Sequence, residues 1–152
     1  MDIFNPDFKD FIINLNKYNV QYILVGGYAV ILRGYSRSTG DLDICVNKTS
    51  ANFAALQKAL TEFGLPMAAV PPDKFFSDVI DVFSFGRPPY AIEILTALKG
   101  ISSFEEAFDV ATIEVVDDVE VRVLHLKHLV KAKEAAGRYK DKNDLENLPG
   151  ID

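Results

Sequence analysis

The apolar residues along the chain alternate between helical spacing and short uninterrupted runs. Apolar side chains three and four positions apart mark one face of a helix, whereas short runs rich in β-branched residues mark buried strands. In the first part of the chain these patterns predict, in order, a helix over 5–18, a strand over 21–25, a short helix over 28–33, a strand over 42–46 and a helix over 50–63. This part of the chain therefore alternates helices with strands.

The second part of the chain is richer in strands. Prolines at positions 66, 71 and 72 mark a loop after the helix. Beyond it the patterns predict, in order, strands over 79–85 and 91–95 joined across 86–89, a helix over 103–110, strands over 112–116 and 120–124, and helices over 126–136 and 140–148. The first two of these strands are expected to pair antiparallel. The whole pattern predicts a mixed α/β or α+β sheet with helices packed on it.

Length and composition narrow the organisation and the function class. The chain has 152 residues, of which 49% are hydrophobic, so we expect one domain over 1–152 with the helices of 126–148 packed on the sheet. The net charge of −6, from 16 basic and 22 acidic residues, opposes an extensive nucleic-acid surface. An acidic start and the lack of a membrane-length apolar run predict a cytoplasmic protein. Cys45, between Ile44 and Val46, is predicted to be a buried strand residue.

Two carboxylates open the second predicted strand. Because side chains alternate along a strand, Asp41 and Asp43 face one side, while Leu42 and Ile44 face the core. Two like charges this close repel, and a divalent cation would compensate them. Oxygen-only ligands favour Mg²⁺ or Mn²⁺. Alternatively, the two aspartates form only a polar turn that leads into a strand.

A third carboxylate would complete such a site. Glu93 is the first choice because it interrupts an otherwise apolar strand, and Asp81 is its rival on the preceding strand. Either acid could instead be a solvated residue on an edge strand or the structural partner of a lysine.

Gly26 and Gly27 precede the carboxylates at the end of the first predicted strand. Glycines at such a turn let backbone N–H groups approach phosphate oxygens. A glycine pair alone is a weak signal, because any strand-to-helix turn can carry one. Here it precedes Asp41 by 14 positions, with Arg37 and Thr39 between, and this combination is far more specific.

These residues resemble a known family. Residues 24–30 and 37–44, with Gly-Gly followed by Asp-x-Asp, resemble the nucleotidyltransferase superfamily of the polymerase-β type. The chain is similar in particular to small prokaryotic nucleotidyltransferase-like proteins related to the toxins of some abortive-infection toxin–antitoxin pairs. Residues 92–96 resemble the third-carboxylate strand of that subgroup, and 128–145 resemble its C-terminal signature. The resemblance extends from about 7 to 148 and implies a nucleotidyltransferase fold.

The resemblance implies a magnesium- or manganese-dependent transfer of a nucleoside monophosphate from an NTP, ATP among them, to an acceptor hydroxyl. The acceptor would be an RNA end, a protein or a small molecule. Metal binding and catalysis would fall to Asp41, Asp43 and Glu93. Nucleotide binding would involve Gly26, Gly27, Arg37, Thr39, Lys133, Arg138 and Lys140. Ile31 stands where antibiotic-modifying members carry an acid, which disfavours that activity.

Other interpretations stay open. The basic residues of 131–140 alternate with acids and could form a solvated helix face. His125 and His128 lie three apart without a further ligand, which favours capping or packing roles over a metal site. The whole chain could be a catalytically silent module that binds nucleotide or a protein partner, possibly one half of a toxin–antitoxin pair, or, less favoured, a phosphohydrolase.

Overall fold

One six-stranded mixed sheet with helices packed on it forms the protein. The computed structural model describes residues 2–87 and 89–149. In that part of the chain the strands are β1 (Tyr22–Val25), β2 (Leu42–Val46), β3 (Val82–Phe85), β4 (Ile92–Leu95), β5 (Thr112–Val116) and β6 (Val119–Val123). The helices are α1 (Pro6–Lys17), α2 (Gly26–Leu32), α3 (Ser50–Phe63), α4 (Pro72–Phe75), α5 (Phe104–Val110), α6 (Leu126–Ala136) and α7 (Tyr139–Asn147), with one 3-10 turn at Met67–Ala69.

The strand order is β3-β4-β2-β1-β6-β5. The two hairpin pairs, β3 with β4 and β5 with β6, are antiparallel and lie at opposite edges. Between them β1 is antiparallel to β2 and parallel to β6, while β2 is parallel to β4. This order joins β2 directly to β4, two strands that are almost fifty residues apart in the sequence.

The core lies on the sheet and takes its shape from amphipathic helices. The stripe of α1 buries Phe8, Phe11, Ile12 and Leu15, and α1 contacts both α3 and β6. Burying one such side chain contributes roughly 1.5–3 kcal/mol. The α1 helix begins at the Asn5 cap, whose side chain accepts a hydrogen bond from the Phe8 amide at 2.8 Å.

The predicted mixed α/β fold is confirmed, and most predicted boundaries agree with the structure within two residues. Thr49 caps α3 and Gly64 ends it in the left-handed conformation, as the sequence indicates. Gly137 ends α6 with a φ of 65°, which produces the predicted break before α7.

Two segments differ from the prediction. The strand predicted over 79–85 begins only at Val82, because the Ser77 hydroxyl accepts hydrogen bonds from the amides of Val79 and Ile80 and holds them in a turn. The segment predicted as a loop after Pro66 contains the 3-10 turn and α4, where Pro72 occupies a first-turn position that suits proline. Pro88 of the predicted 86–89 connection lies outside the described residues.

Among residues 2–87 and 89–149, no helix combines the length and the apolar character needed to cross a bilayer. Cys45 is buried in β2, as predicted, and its burial raises the pKa of the thiol to about 12. A thiol with so high a pKa is a poor nucleophile at neutral pH.

Candidate active site

Adjacent parallel strands bring two of the predicted carboxylates together. Asp43 of β2 is the register partner of Glu93 in β4, so both side chains leave the same face of the sheet. Asp41 immediately precedes β2 and is partly buried. The apolar neighbours Leu42 and Ile44 are fully buried on the other face, as the alternation predicts.

The carboxyl group of Asp43 lies among negative charges that are only partly compensated. Burial, together with the adjacent Glu93 carboxyl and the charge of Asp41, raises the pKa of Asp43 to about 7, although Lys140 acts in the opposite direction. Its Oδ1 atom is buried and has no hydrogen-bond partner in the described part of the chain. A buried carboxylate oxygen without a partner is costly, and a cation would satisfy it.

The three carboxylates do not form a closed ligand cluster. The Ala91 amide donates a hydrogen bond of 3.1 Å to Oδ1 of Asp41, so that oxygen is already engaged. Within 2–87 and 89–149, no group of three or more histidine, cysteine, aspartate or glutamate side chains is arranged as a complete metal site. Asp81, the rival third acid, lies just before β3, is exposed, and lines the same cleft as Glu93. Glu93 is therefore the acid in contact with Asp43.

The glycine pair packs directly against the acidic strand and the segment before it. Gly26 has a φ of 69°, and a Cβ there would overlap the Asp43 carboxylate. A Cβ at Gly27 would overlap the Thr39 hydroxyl. Two different contacts thus require the two glycines, and Gly26 lies directly against the Asp43 carboxylate.

Two of the predicted basic residues form ion pairs with buried aspartates. Arg37 donates two hydrogen bonds to the buried Asp144 carboxylate, of 2.7 and 2.9 Å. Lys133 is buried, and its Nζ lies 3.2 Å from Asp141 and 2.9 Å from Asp144. The prediction of a solvated helix face is therefore wrong for Lys133, because two aspartates of α7 cover its side chain. Both cations act within the structure as anchors for α7.

Arg138 and Lys140 stand at the mouth of the site. Arg138 pairs with Asp141 through Nε at 2.6 Å while its side chain stays largely exposed. Burial alone would raise the pKa of Asp141, but hydrogen bonds from Arg138 and Lys133 outweigh it and lower that pKa to about 2. Lys140 is exposed and has no ion-pair partner among the described residues. Among the four cations predicted to bind nucleotide, Lys140 is therefore the one whose charge is not used in an ion pair within the described residues.

Two adjoining clefts meet at Asp41 and Asp43. One cleft, of about 360 Å³, contains both glycines together with Arg37 and Thr39, and is called the glycine cleft. The other, of about 540 Å³, contains Glu93 and is called the glutamate cleft. Besides the two aspartates, both clefts share Gly26, Lys133, Arg138 and Lys140. Every site residue predicted from the sequence lines one or both clefts.

Other residues of the site were not predicted. Asp141 and Asp144 are fully buried partners of the basic residues, yet in the sequence they look like solvated acids of a strongly polar helix. The two histidines are outside both clefts. His125 caps α6 by accepting a hydrogen bond from the Lys127 amide at 3.1 Å, and His128 is buried, which confirms the predicted capping and packing roles.

A family model described as a nucleotidyltransferase of unknown function (DUF6036) matches residues 7–149. No curated protein matches the chain. The matched segment contains every residue that lines the two clefts.

Proposed function

The chain belongs to this family of nucleotidyltransferases of unknown function, and from that membership we propose that it moves a nucleoside monophosphate from an NTP to an acceptor hydroxyl. The observation that carries the proposal is the contact between Asp43 and Glu93 beside the glycine pair, at the junction of two clefts. One cleft can receive the triphosphate and the other the acceptor.

The acidic residues fit a divalent metal. Their donors are oxygens only, the negative charge around Asp43 is only partly compensated by Lys140, and the buried Oδ1 of Asp43 has no partner among the described residues. Asp41 and Asp43 would hold Mg²⁺ or Mn²⁺, and Glu93 would share in binding it. When bound, the metal would supply Lewis-acid stabilisation of charge on the reacting phosphate.

The glycine cleft suits the triphosphate. Gly26 and Gly27 line this cleft together with Asp43, and the Thr39 hydroxyl lies against Gly27. Lys140 and Arg138 stand exposed at the mouth, where their charges can neutralise phosphate oxygens. Arg37 and Lys133 contribute by holding the surrounding segments in place, since their hydrogen bonds go to buried aspartates.

The transfer step follows from this arrangement. The acceptor hydroxyl oxygen attacks the α-phosphorus and forms a new P–O bond, while the bond to the bridging oxygen breaks and pyrophosphate leaves with the electron pair. The Glu93 carboxylate takes the hydroxyl proton. Lys140 and Arg138 stabilise the charge that builds on the leaving pyrophosphate.

The test is incorporation of label from each α-labelled NTP in the presence of Mg²⁺ or Mn²⁺, with cell extract as the source of acceptors. Wild-type protein should transfer label, and Asp43→Asn and Glu93→Gln should lose it by on the order of 10²-fold or more. Asp10→Asn is the matched control, because Asp10 is an exposed acid of α1 outside both clefts. Transfer that survives in Asp43→Asn would contradict the proposal. Nucleotide binding without transfer would favour the silent module instead.

A further inference from the structure

The two clefts share Asp41 and Asp43 and differ in much of the rest of their lining. Glu93 lines only the glutamate cleft, whereas Gly27, Arg37 and Thr39 line only the glycine cleft. In phosphoryl transfer the attacking and leaving oxygens lie roughly in line on opposite sides of phosphorus. With pyrophosphate leaving into the glycine cleft, the glutamate cleft, which contains the proposed base Glu93, is the space that suits the attacking hydroxyl.

Apolar residues also line the glutamate cleft, and they include a set called the apolar wall: Leu95, Leu98, Leu129, Ala132 and Ala136. The last three of these residues share one face of α6, because they are three and four positions apart. The wall is fixed in place: Gly100 has a φ of 85°, and a Cβ there would crowd the backbone of α6 at Lys131. The segment after β4 therefore lies directly against α6 and closes the cleft at that end.

Charge separates the two clefts as well. Among the described residues, Lys99 is the one cation that lines the glutamate cleft alone. Lys133, which both clefts share, is buried and already pairs with two aspartates. Arg138 and Lys140 also line both clefts, and the proposed transfer assigns them to the triphosphate. Among the described residues of the cleft, Lys99 is then the one cation left for an acceptor, whereas an RNA needs several lysines or arginines on its phosphates. A cleft of about 540 Å³ with an apolar wall falls within the size range of small-molecule sites.

We propose that the acceptor is a small hydroxyl compound with an apolar body, held against the apolar wall with its hydroxyl directed to Glu93. This assignment rests on the proposed nucleotidyl transfer and names its second substrate by class. The hydroxyl oxygen bonds to the α-phosphorus as pyrophosphate leaves, and the proton passes to Glu93, as above. The apolar wall then determines which hydroxyl compounds are accepted.

The experiment divides cell extract into a small-molecule filtrate, RNA and protein, and offers each fraction to the protein with α-labelled NTP and Mg²⁺. The variant Ala132→Phe fills the cleft from the apolar wall, and Ala54→Phe places the same ring on an exposed position of α3. Calorimetry with a non-hydrolysable NTP analogue and Mg²⁺ measures nucleotide binding and reports that each variant is folded.

We expect label in the small-molecule fraction, in a product that extracts into butanol better than the NTP does. Ala132→Phe should lower this transfer by about tenfold or more while it still binds the analogue, and Ala54→Phe should match the wild type. Label on RNA or protein would overturn the assignment, and so would full transfer by Ala132→Phe. Parallel loss of analogue binding in Ala132→Phe would overturn it too, because the apolar wall would then hold the nucleoside. If the wild type itself neither binds the analogue nor labels any fraction, the proposed transfer fails and the acceptor assignment falls with it.

Discussion

Gly26 lies where the turn after β1 comes closest to the Asp43 carboxylate. Its φ of 69° suits glycine, and the space that a Cβ would need is filled by Asp43. Gly64 also has a positive φ, 113°, but no atom lies within 4 Å of the position of its Cβ. A substitution at Gly64 therefore tests backbone strain alone, whereas one at Gly26 tests strain together with crowding against Asp43.

Gly26→Ala should lower the free energy of unfolding by about 1–2 kcal/mol from backbone strain, and further from the collision with Asp43. It should also abolish Mg²⁺-dependent nucleotide binding, because the carboxylate has to move. Gly64→Ala should be destabilised by strain and keep nucleotide binding. Urea unfolding and calorimetry on both variants check this, and normal nucleotide binding by Gly26→Ala would argue against the role of the glycine pair.

At the scale of single residues, the sequence predicts the members of the site whose position follows from local rules. Asp41 and Asp43 share a face because side chains alternate along a strand. Gly26 follows a strand that a run of apolar residues predicts. The partners of Arg37 and Lys133 could not be predicted in the same way. Asp144 is 107 positions from Arg37, and only the packing of α7 brings the two together.

The α7 helix is fastened to the rest of the protein by buried charges. Asp144 accepts hydrogen bonds from Arg37, which belongs to the segment before β2, and Lys133 of α6 approaches the same carboxylate. The segment that carries Thr39 and leads to β2 is thus tied to α7. Removing one partner of a buried ion pair leaves the other charge uncompensated.

Asp144→Asn should lower the free energy of unfolding by up to roughly 3–5 kcal/mol, because Arg37 loses its carboxylate partner and buried Lys133 keeps only Asp141. The matched control is Glu62→Gln, which breaks the exposed Lys17–Glu62 pair and should cost about 1 kcal/mol or less. Urea unfolding of both variants makes the comparison. Equal losses would mean that the buried pairs do not anchor α7.

Low pH should weaken the ion pairs that hold α7 to the rest of the protein. Hydrogen bonds from Arg138 and Lys133 lower the pKa of Asp141 to about 2 in the folded protein, below the ordinary value of 3.8. A carboxyl whose pKa is lower in the folded state stabilises the protein above its unfolded pKa, and loses this contribution as the pH falls from about 4 to about 2. Asp141→Asn should therefore show a shallower loss of unfolding free energy across this window than the wild type. An unchanged slope would contradict the assignment.

Elements with strong local signals were predictable, and their pairing was not. The caps at Asn5 and Thr49 and the glycine ends at Gly64 and Gly137 place helices within a residue or two. The start of β3 was missed because a single hydroxyl, that of Ser77, redirects the backbone. The parallel pairing of β2 with β4, which brings Glu93 to Asp43, depends on contacts fifty residues apart that no local pattern encodes.

Across the whole molecule, charge is distributed unevenly. The chain carries a net charge of −6, yet Lys133, Arg138 and Lys140 gather beside the carboxylates of the two clefts. A local cationic rim over an acidic centre suits a triphosphate with its metal, while the acidic remainder disfavours long nucleic acids. We therefore expect metal and nucleotide to bind together at the junction of the clefts.

A crystal structure with Mn²⁺ and an NTP analogue that cannot release pyrophosphate would show whether metal and nucleotide bind there. Anomalous scattering should locate Mn²⁺ on Asp41 and Asp43, with the triphosphate over Gly26 and Gly27 and the glutamate cleft open toward the α-phosphorus. Nucleotide bound away from the glycine pair, or Mn²⁺ absent from both aspartates at saturating concentration, would contradict the account.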